Sequence, residues 1–403
     1  MHLNRIAGQD RIPDLVRDLA VPLVHGPAAL AHLAFAGSTL ADLLGFLGKH
    51  AASLDLSMAH QLCFDPVQAT ALQDAALAQA CMFRIIDGPA PRSARPFRLL
   101  ALVAPGNLMV NTPLDFITRY LDVQLDLLFL IPGQALPRCI PDHDAAFFAI
   151  SESDPAALRR LVPLHAAWPR PVLNNPAAVA RLSRDRVADG LAGQPGLCSP
   201  PAALMPRQSL AAYRPESRLE WPVIIRPAGS HAGHGLERAD DADALQAYLA
   251  AHPDPAFFVT KFIDYRNADG LFRKFRLAMI DGRALLCHMA ASGNWMIHYL
   301  NAGMAEDASR RDAEARAMQE FDTGFATRHA TALTALNRFV GLDYYQVDCA
   351  ETPDGQLLVF ELDVAAIIHL MDPPALYPYK PAQMRRVFEA FGTMLRHRAG
   401  WPA

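Results

Sequence analysis

Two alternating runs near the end of the chain, Tyr344-Tyr-Gln-Val-Asp-Cys349 and Leu357-Leu-Val-Phe-Glu-Leu362, flank the pair Asp354-Gly355. An Asp-Gly pair in that setting predicts a β-hairpin. With a two-residue turn, Asp348 falls opposite Glu361, and Gln346 falls opposite Asp363. Side chains alternate between faces along a strand, so Gln346, Asp348, Glu361 and Asp363 share one face. Tyr345, Val347, Cys349, Phe360, Leu362 and Val364 share the other, mostly apolar one. A four-residue turn keeps these faces, whereas a three-residue turn breaks the argument. Like charges directly across a ladder repel, so three carboxylates on one patch call for a bound cation. Oxygen donors with no sulfur or neighbouring histidine favour magnesium, with manganese as the alternative. The competing explanation is a solvated outer face of a surface hairpin.

A second feature lies upstream. Trp221-Pro-Val-Ile-Ile-Arg226 reads as a strand, and Arg226-Pro-Ala-Gly-Ser-His-Ala-Gly-His-Gly235 follows it directly. Gly229, Gly233 and Gly235 let backbone amides come close to an anion. Ser230, His231 and His234 add donors, and Arg226 adds a fixed charge suited to phosphate. The pattern is neither a Walker A loop nor a dinucleotide fingerprint. An ordinary flexible turn is the alternative.

The rest of the chain frames these two features. A length of 403 residues predicts two or three domains. Residues 1–94 read as helical, with Asp65-Pro66 as a helix start. Val21 to Ala41 lacks acidic and basic residues, but its prolines and glycines favour a buried helical hairpin over a membrane span. The stretch Pro89 to Pro96 is a linker candidate. Short apolar runs at Phe97–Ala104, Leu125–Ile131 and Ala145–Ile150 alternate with helical stretches, which predicts a small α/β unit with a parallel sheet. Asn174 to Leu191 and Glu314 to Phe339 read as helices, and Asp281-Gly282 as a second hairpin turn. The charges of Glu306 to Glu320 suggest a solvated helix face. Asp142-His143-Asp144 is read as a turn, since adjacent loop residues rarely converge on a metal. A net charge of −4 gives no reason to expect nucleic acid or an anionic membrane as partner. Six scattered cysteines with no CxxC pair read as free thiols of a reducing compartment, hence a cytoplasmic location.

The ordered set of motifs resembles the ATP-grasp superfamily, near its glutathione-synthetase-like branch. It looks most like bacterial ATP-grasp domains often attached to tetratricopeptide repeats. The stretches that carry the likeness are Val103 to Pro113, Ile224 to Gly235, Val259 to Gly270, Arg273-Lys-Phe-Arg276, His288 to Tyr299 and Leu342 to His369. They cover roughly residues 97–372, and the N-terminal helices show no clear tetratricopeptide pattern. The resemblance implies an α/β (α+β) ATP-grasp fold with a small Rossmann-like pre-ATP-grasp domain and an N-terminal helical region. The expected divisions are 1–94 (helical), 95–172 (pre-ATP-grasp), 173–256 (subdomain with the glycine-rich loop) and 257–403 (subdomain with the metal-binding hairpin and a C-terminal helix).

By position, the resemblance implies that Arg226 and Arg186 replace the usual phosphate-binding lysines, with the glycine-rich loop closing over the phosphates. Lys261, Phe262 and Ile263 occupy the adenine hinge, and Asp264 or Asp269 would contact ribose. Arg276 would bind phosphate or acyl phosphate, and Asp348, Glu361 and Asp363 would hold magnesium. Asp363 stands where the family carries Asn, and Val364-Ala-Ala366 also departs from its pattern. The expected activity is an ADP-forming carboxylate–amine ligase working through an acyl phosphate, a biosynthetic reaction using ATP and Mg2+ (or Mn2+). His288 or His298 would take the proton of the incoming amine. The expected partners are small-molecule or peptide carboxylates and amines, and a homodimer is allowed. Two alternatives remain: a nucleotide-binding regulatory or scaffold protein, and a peptide-modifying ligase acting on a precursor or carrier protein.

Overall fold

The apolar runs of the first half form one sheet in the computed structural model of the chain, which describes residues 10–49, 51–86, 88, 93–214, 219–230, 233–298 and 301–401. Its six strands lie in the order Leu23–Val24, Met82–Ile85, Val123–Phe129, Phe97–Val103, Ala145–Phe148 and Val172–Leu173. Phe97–Val103 sits between two parallel neighbours and is apolar except for Arg98. That composition suits a strand covered on both faces. Leu100 and Leu102 enter one core with Leu158, Leu161 and Leu164 of the helix Pro155–Ala167. Leu99, Ala101 and Val103 enter another with Leu30, Leu54 and Met58 of the N-terminal helices and Phe388 and Phe391 of the helix Lys380–Arg398.

The N-terminal segment forms the helices Pro27–Phe35, Leu40–Leu47, Ser53–Leu62 and Pro66–Leu77. Asp65 starts the last one: its Oδ1 accepts from the Gln68 N–H at 3.2 Å, and Pro66 sits at N1. The all-helical reading of residues 1–94 needs correction, because Asp14–Val16, Leu23–Val24 and Met82–Ile85 are strands. The last two complete the six-stranded sheet, so this segment covers and edges the α/β unit. Strands of two to four residues are too short to display a period of two. Residues 89–92 of the expected linker lie outside the described residues. No helix among the described residues is long and apolar enough to cross a membrane, and all six cysteines are free thiols.

Two sheets make up the second half, antiparallel except for the edge strand Leu197–Cys198, which runs parallel to its neighbour. The smaller has the order Ala202–Pro206, Ala256–Lys261, Val223–Pro227, Glu237–Ala239. It packs Val223, Ile225, Phe257 and Val259 against Leu245, Tyr248 and Leu249 of the helix Ala242–Ala251. The larger has the order Arg283–Ser292, Phe272–Ile280, Tyr344–Glu351, Leu357–Asp363, Leu197–Cys198. Its first hairpin turns at Asp281-Gly282, with Ile280 paired to Arg283 and φ of 48° and 79° at the two turn residues. Two positive φ values are what a type I′ turn requires, and Asp-Gly supplies them cheaply.

Two expected helices are divided. Asn174–Leu191 becomes Pro176–Val179 and Arg184–Leu191. Glu314–Phe339 becomes the end of Ala308–Gln319, then Phe325–Arg328 and Ala330–Val340, with Gly324 at the break. Glu314 does not lie on a solvated face; it is fully buried. Tyr379 Oη donates to its Oε2 at 2.6 Å and the Met289 N–H to its Oε1 at 3.0 Å, with Lys380 Nζ 3.5 Å from Oε1. Those partners make the burial of a charge tolerable.

The helices Arg184–Leu191 and Ala330–Val340 meet at Gly190, where an added Cβ would lie 2.0 Å from the Phe339 ring. Gly190→Ala is therefore expected to destabilise the fold by about 1–3 kcal/mol through overpacking. Urea unfolding monitored by circular dichroism checks this, and an unchanged midpoint would refute the close packing.

Candidate active site

A cleft of about 1080 Å³ separates the two antiparallel sheets. One wall is the acidic hairpin. Its turn departs from the two-residue form, because Thr352 and Gln356 close a loop of Pro353, Asp354 and Gly355. Near the turn Cys349 pairs with Val359, Ala350 with Leu358 and Glu351 with Leu357. A bulge at Phe360 then restores the expected pairs, Asp348 with Glu361 and Gln346 with Asp363. The three-residue turn would have put the carboxylates on opposite faces; one extra residue in the second strand returns them to the same one. Asp348, Glu361 and Asp363 all line the cleft, with Leu358 and Phe360 further along.

The like-charge problem is solved largely by basic side chains. Arg276 grips Asp348 through Nε at 2.7 Å and Nη2 at 2.8 Å, and Lys274 Nζ adds a contact at 2.6 Å. Burial works against the Asp348 carboxylate, but Arg276 and then Lys274 hold it far below the usual range. Lys274 therefore shares the face of Arg276. Glu361 Oε1 accepts from Arg184 Nη2, and Asp363 Oδ1 accepts from the Ala365 N–H at 2.6 Å. Burial first, then the Glu361 charge, pushes Asp363 up to about 6. Among the described residues no group of three or more His, Cys, Asp or Glu is arranged to hold a metal ion.

The metal set expected from the sequence is thus corrected. Asp348 has both oxygens engaged by Arg276 and Lys274. Glu361 Oε2 and Asp363 Oδ2 accept no hydrogen bond among the described residues. Magnesium is commonly held by one or two carboxylates plus the phosphates of a substrate. The pair Glu361 and Asp363 fits that mode, and the charge that pushes Asp363 up is what a cation there would relieve.

The opposite wall comes from the smaller sheet. In Val223–Pro227, Val223, Ile225 and Pro227 are buried, so Ile224 and Arg226 face the cleft. Arg226 Nε donates to Ser230 Oγ at 3.1 Å, and its Nη2 donates to the Ser230 carbonyl. This folds the glycine-rich loop back over its own strand. Gly233, His234 and Gly235 line the cleft, and Gly235 sits at φ 63° against the Pro227 ring. His231 lies outside the described residues.

Arg184, which sequence reasoning missed, also lines the cleft, whereas Arg186 does not. Arg186 is exposed and bonds back to the Ala180 carbonyl at 2.9 Å. The reason is helical geometry: Arg184 and Ala188, four apart, share the cleft face, and a residue two positions on points away. Burial first, then Arg184, pushes Arg226 down to about 10. Two guanidinium groups that repel each other across a cleft are poised for an anion.

At one end Lys261, Phe262 and Ile263 line the cleft with Trp295. The amides of Lys261 and Phe262 are engaged by the Pro201 and Pro222 carbonyls, each at 3.0 Å. The Phe262 ring meets Trp295 at 5.7 Å and carries the Arg238 guanidinium at 4.4 Å. Asp264 and Asp269 do not line the cleft. Asp264 pairs with Arg266 at 3.4 Å, and Asp269 pairs with Arg273, so neither is placed for a ribose contact.

The two histidines differ. His298 lines the cleft, and its N–H donates to Asn301 Oδ1 at 2.9 Å. Burial and then Lys274 lower its proton affinity. His288 lies opposite Arg276 on the neighbouring strand and does not line the cleft. Burial and then Arg276 hold it well below the usual imidazole range. It is neutral and enclosed, which removes it from the expected catalytic pair. Tyr299 lies outside the described residues. Glu152, in the loop after Ala145–Phe148, is a further acid that the sequence did not reveal: burial and then Asp363 push it up to about 8. The trio Asp142-His143-Asp144 diverges, with both acids on Arg98 and His143 on Trp168.

A glycine loop on one antiparallel sheet therefore faces a carboxylate hairpin on another, with arginines between and a linking hinge at one end. This is the arrangement that the ATP-grasp resemblance implies. Against other proteins, no family model matches the chain and no curated protein does. Among solved structures it is similar to a RimK-domain ATP-grasp protein from Sphaerobacter thermophilus, at 17% identity over 74% of this chain and 98% of that one, TM-score 0.40. A D-alanine–D-alanine ligase from Bacillus anthracis complexed with ATP is 12% identical over 76% and 100%, TM-score 0.44. The VanG D-Ala:D-Ser ligase from Enterococcus faecalis is 13% identical over 76% and 100%, TM-score 0.47.

Proposed function

We propose that the chain is an ATP-dependent, ADP-forming ligase that joins a carboxylate to an amine on a small molecule or peptide. The observation that carries this reading is the convergence of Arg184, Arg226, Lys274 and Arg276 on a cleft that also holds the pair Glu361 and Asp363. That is the charge pattern a triphosphate and its cation need.

The substrate carboxylate oxygen attacks the γ-phosphorus of ATP, the bond to the β-phosphate oxygen breaks, and ADP leaves with the electron pair. An amine nitrogen then attacks the acyl carbon, the acyl–oxygen bond breaks, and phosphate leaves. Arg226 and Arg276 hold the transferring group, and Arg184 both neutralises Glu361 and faces the phosphates. His298 is neutral near pH 7 and accepts the proton released by the amine. Magnesium, held by Glu361 and Asp363, would screen the phosphate charge. Purified protein incubated with ATP, magnesium and pooled amino acids should release ADP and phosphate only when a substrate pool is present. AMP formation, or ATP binding without turnover on any pool, would overturn the reading.

The two arginines of one helix give an internal control. Arg184→Ala is expected to weaken ATP binding roughly 10- to 100-fold, the worth of a charged hydrogen bond. Arg186→Ala is expected to leave it unchanged. Calorimetric titration with a non-hydrolysable ATP analogue reads both, and equal effects would refute the assignment.

A further inference from the structure

The cleft has two ends, and the hairpin orders them. Leu358 and Phe360 pack with Ile263, Tyr265, Phe272 and Trp295 at the hinge. Glu361 and Asp363 come next, and the chain runs on to Ala366 and Ile367, which also line the cleft. The strand advances about 3.3 Å per residue as far as Asp363, and Ile367, beyond it, belongs to a different apolar cluster from the hinge residues. It packs there with Ala28, Phe116 and Leu62. Leu62 ends the helix Ser53–Leu62, and Phe64 follows on the cleft wall.

Phe64 is an unusual residue on three counts. It is 93% exposed, although it is a large apolar side chain. Its φ is 59°, at the place just past a helix end where glycine is usual. The loop that holds it is fixed: the Phe64 N–H donates to the Gln61 carbonyl at 3.1 Å and the Asp65 N–H to the His60 carbonyl at 3.0 Å. His60 Nδ1 and Asp65 Oδ2 close the loop at 3.0 Å. Gln61 Nε2 donates to the Gly106 carbonyl at 3.3 Å, tying this loop to the one that carries Met109. The fold thus holds an aromatic ring in an unfavourable backbone shape and packs almost nothing against it. Strain kept without a packing reward points to a contact made from the cleft.

We propose that Phe64, with Met109 and Ile367, selects a substrate that carries an apolar side chain, and that the N-terminal helices serve this reaction by presenting it. Phe64, Met109, Ala366 and Ile367 are apolar, so a branched aliphatic or aromatic group loses water against them. The inference rests on the ligase reading for its chemistry, but its test separates the two.

Leucine, phenylalanine, serine, aspartate and lysine, each supplied singly and as homodipeptides with ATP and magnesium, would be compared by ADP release. Leucine or phenylalanine compounds should be preferred at least tenfold in kcat/KM. Phe64→Ala should raise their KM about tenfold, leave the KM for ATP unchanged, and be largely rescued by Phe64→Leu. The exposed ring leaves no cavity, so the variant should fold. An equal loss for polar and apolar compounds, or no change in KM, overturns the proposal. If no compound is turned over, the ligase reading fails on its own. Equilibrium dialysis of labelled leucine, phenylalanine and serine with a non-hydrolysable ATP analogue then decides the role of Phe64. Binding that prefers the apolar compounds and weakens in Phe64→Ala supports it; the absence of either overturns it.

Discussion

Glu361→Gln is expected to lower substrate-dependent ADP release at least about 100-fold, the loss typical when a group stabilising transition-state charge is removed. Glutamine keeps the size and one carbonyl oxygen of the side chain but carries no charge, so it cannot offer a cation an anionic ligand. The fold should persist. Glu361 keeps 30% of its side chain exposed, and its protein partner is Arg184, which is itself open to the cleft. The substitution also removes the charge that helps push Asp363 up, so Asp363 should ionise at lower pH in the variant. Steady-state ADP release and a thermal unfolding curve measure the two halves of this expectation. Full activity in the variant would remove Glu361 from the chemistry, and a collapsed fold would make it structural.

The sequence carried the faces of the hairpin but not the path to them. Asp354-Gly355 is embedded in a three-residue turn, and the bulge at Phe360 that repairs the register has no signature in residue types. Alternation made Arg226 legible, because Ile224 and Arg226 are the polar-side positions of an otherwise buried strand. Helical position was harder. Arg184 and Arg186 are equivalent by composition, and only the burial of Val187, Ala188 and Leu191 orients the helix. The acids nearest the hinge were misread because spacing along a loop says nothing about direction, and Asp264 and Asp269 turn to local arginines instead. Phe64 was out of reach, since it comes to the cleft from a segment far away in the chain, and so was Glu152, which meets the field of Asp363 from an equally distant segment. Elements of adequate length were found; the strands Leu23–Val24 and Met82–Ile85 were lost because their neighbours, not their own residues, make them strands.

Asp348→Asn separates two roles that the sequence could not distinguish. A metal ligand costs little to the apo fold when neutralised, and its loss should appear only when magnesium is present. A counter-ion for buried bases costs stability at once. Asp348 is 6% exposed, Arg276 24% and Lys274 20% as side chains, so the substitution leaves two poorly solvated cations without their shared anion. Breaking a buried ion pair on one side typically costs about 3–5 kcal/mol, and the value here should sit toward the low end because both bases retain some water. The penalty should be the same with and without a chelator, and activity should fall too, because Arg276 loses the bidentate grip that aims it. The pH dependence follows from the sign of the shift. The native carboxyl is held below its unfolded value of about 3.9. Its contribution is therefore complete above that value and is lost as the pH falls through the native one. Urea unfolding at pH 7 should show the full gap between wild type and variant, and the gap should narrow in acid. A gap that appears only with magnesium would return Asp348 to the metal and leave Arg276 to be positioned by something else.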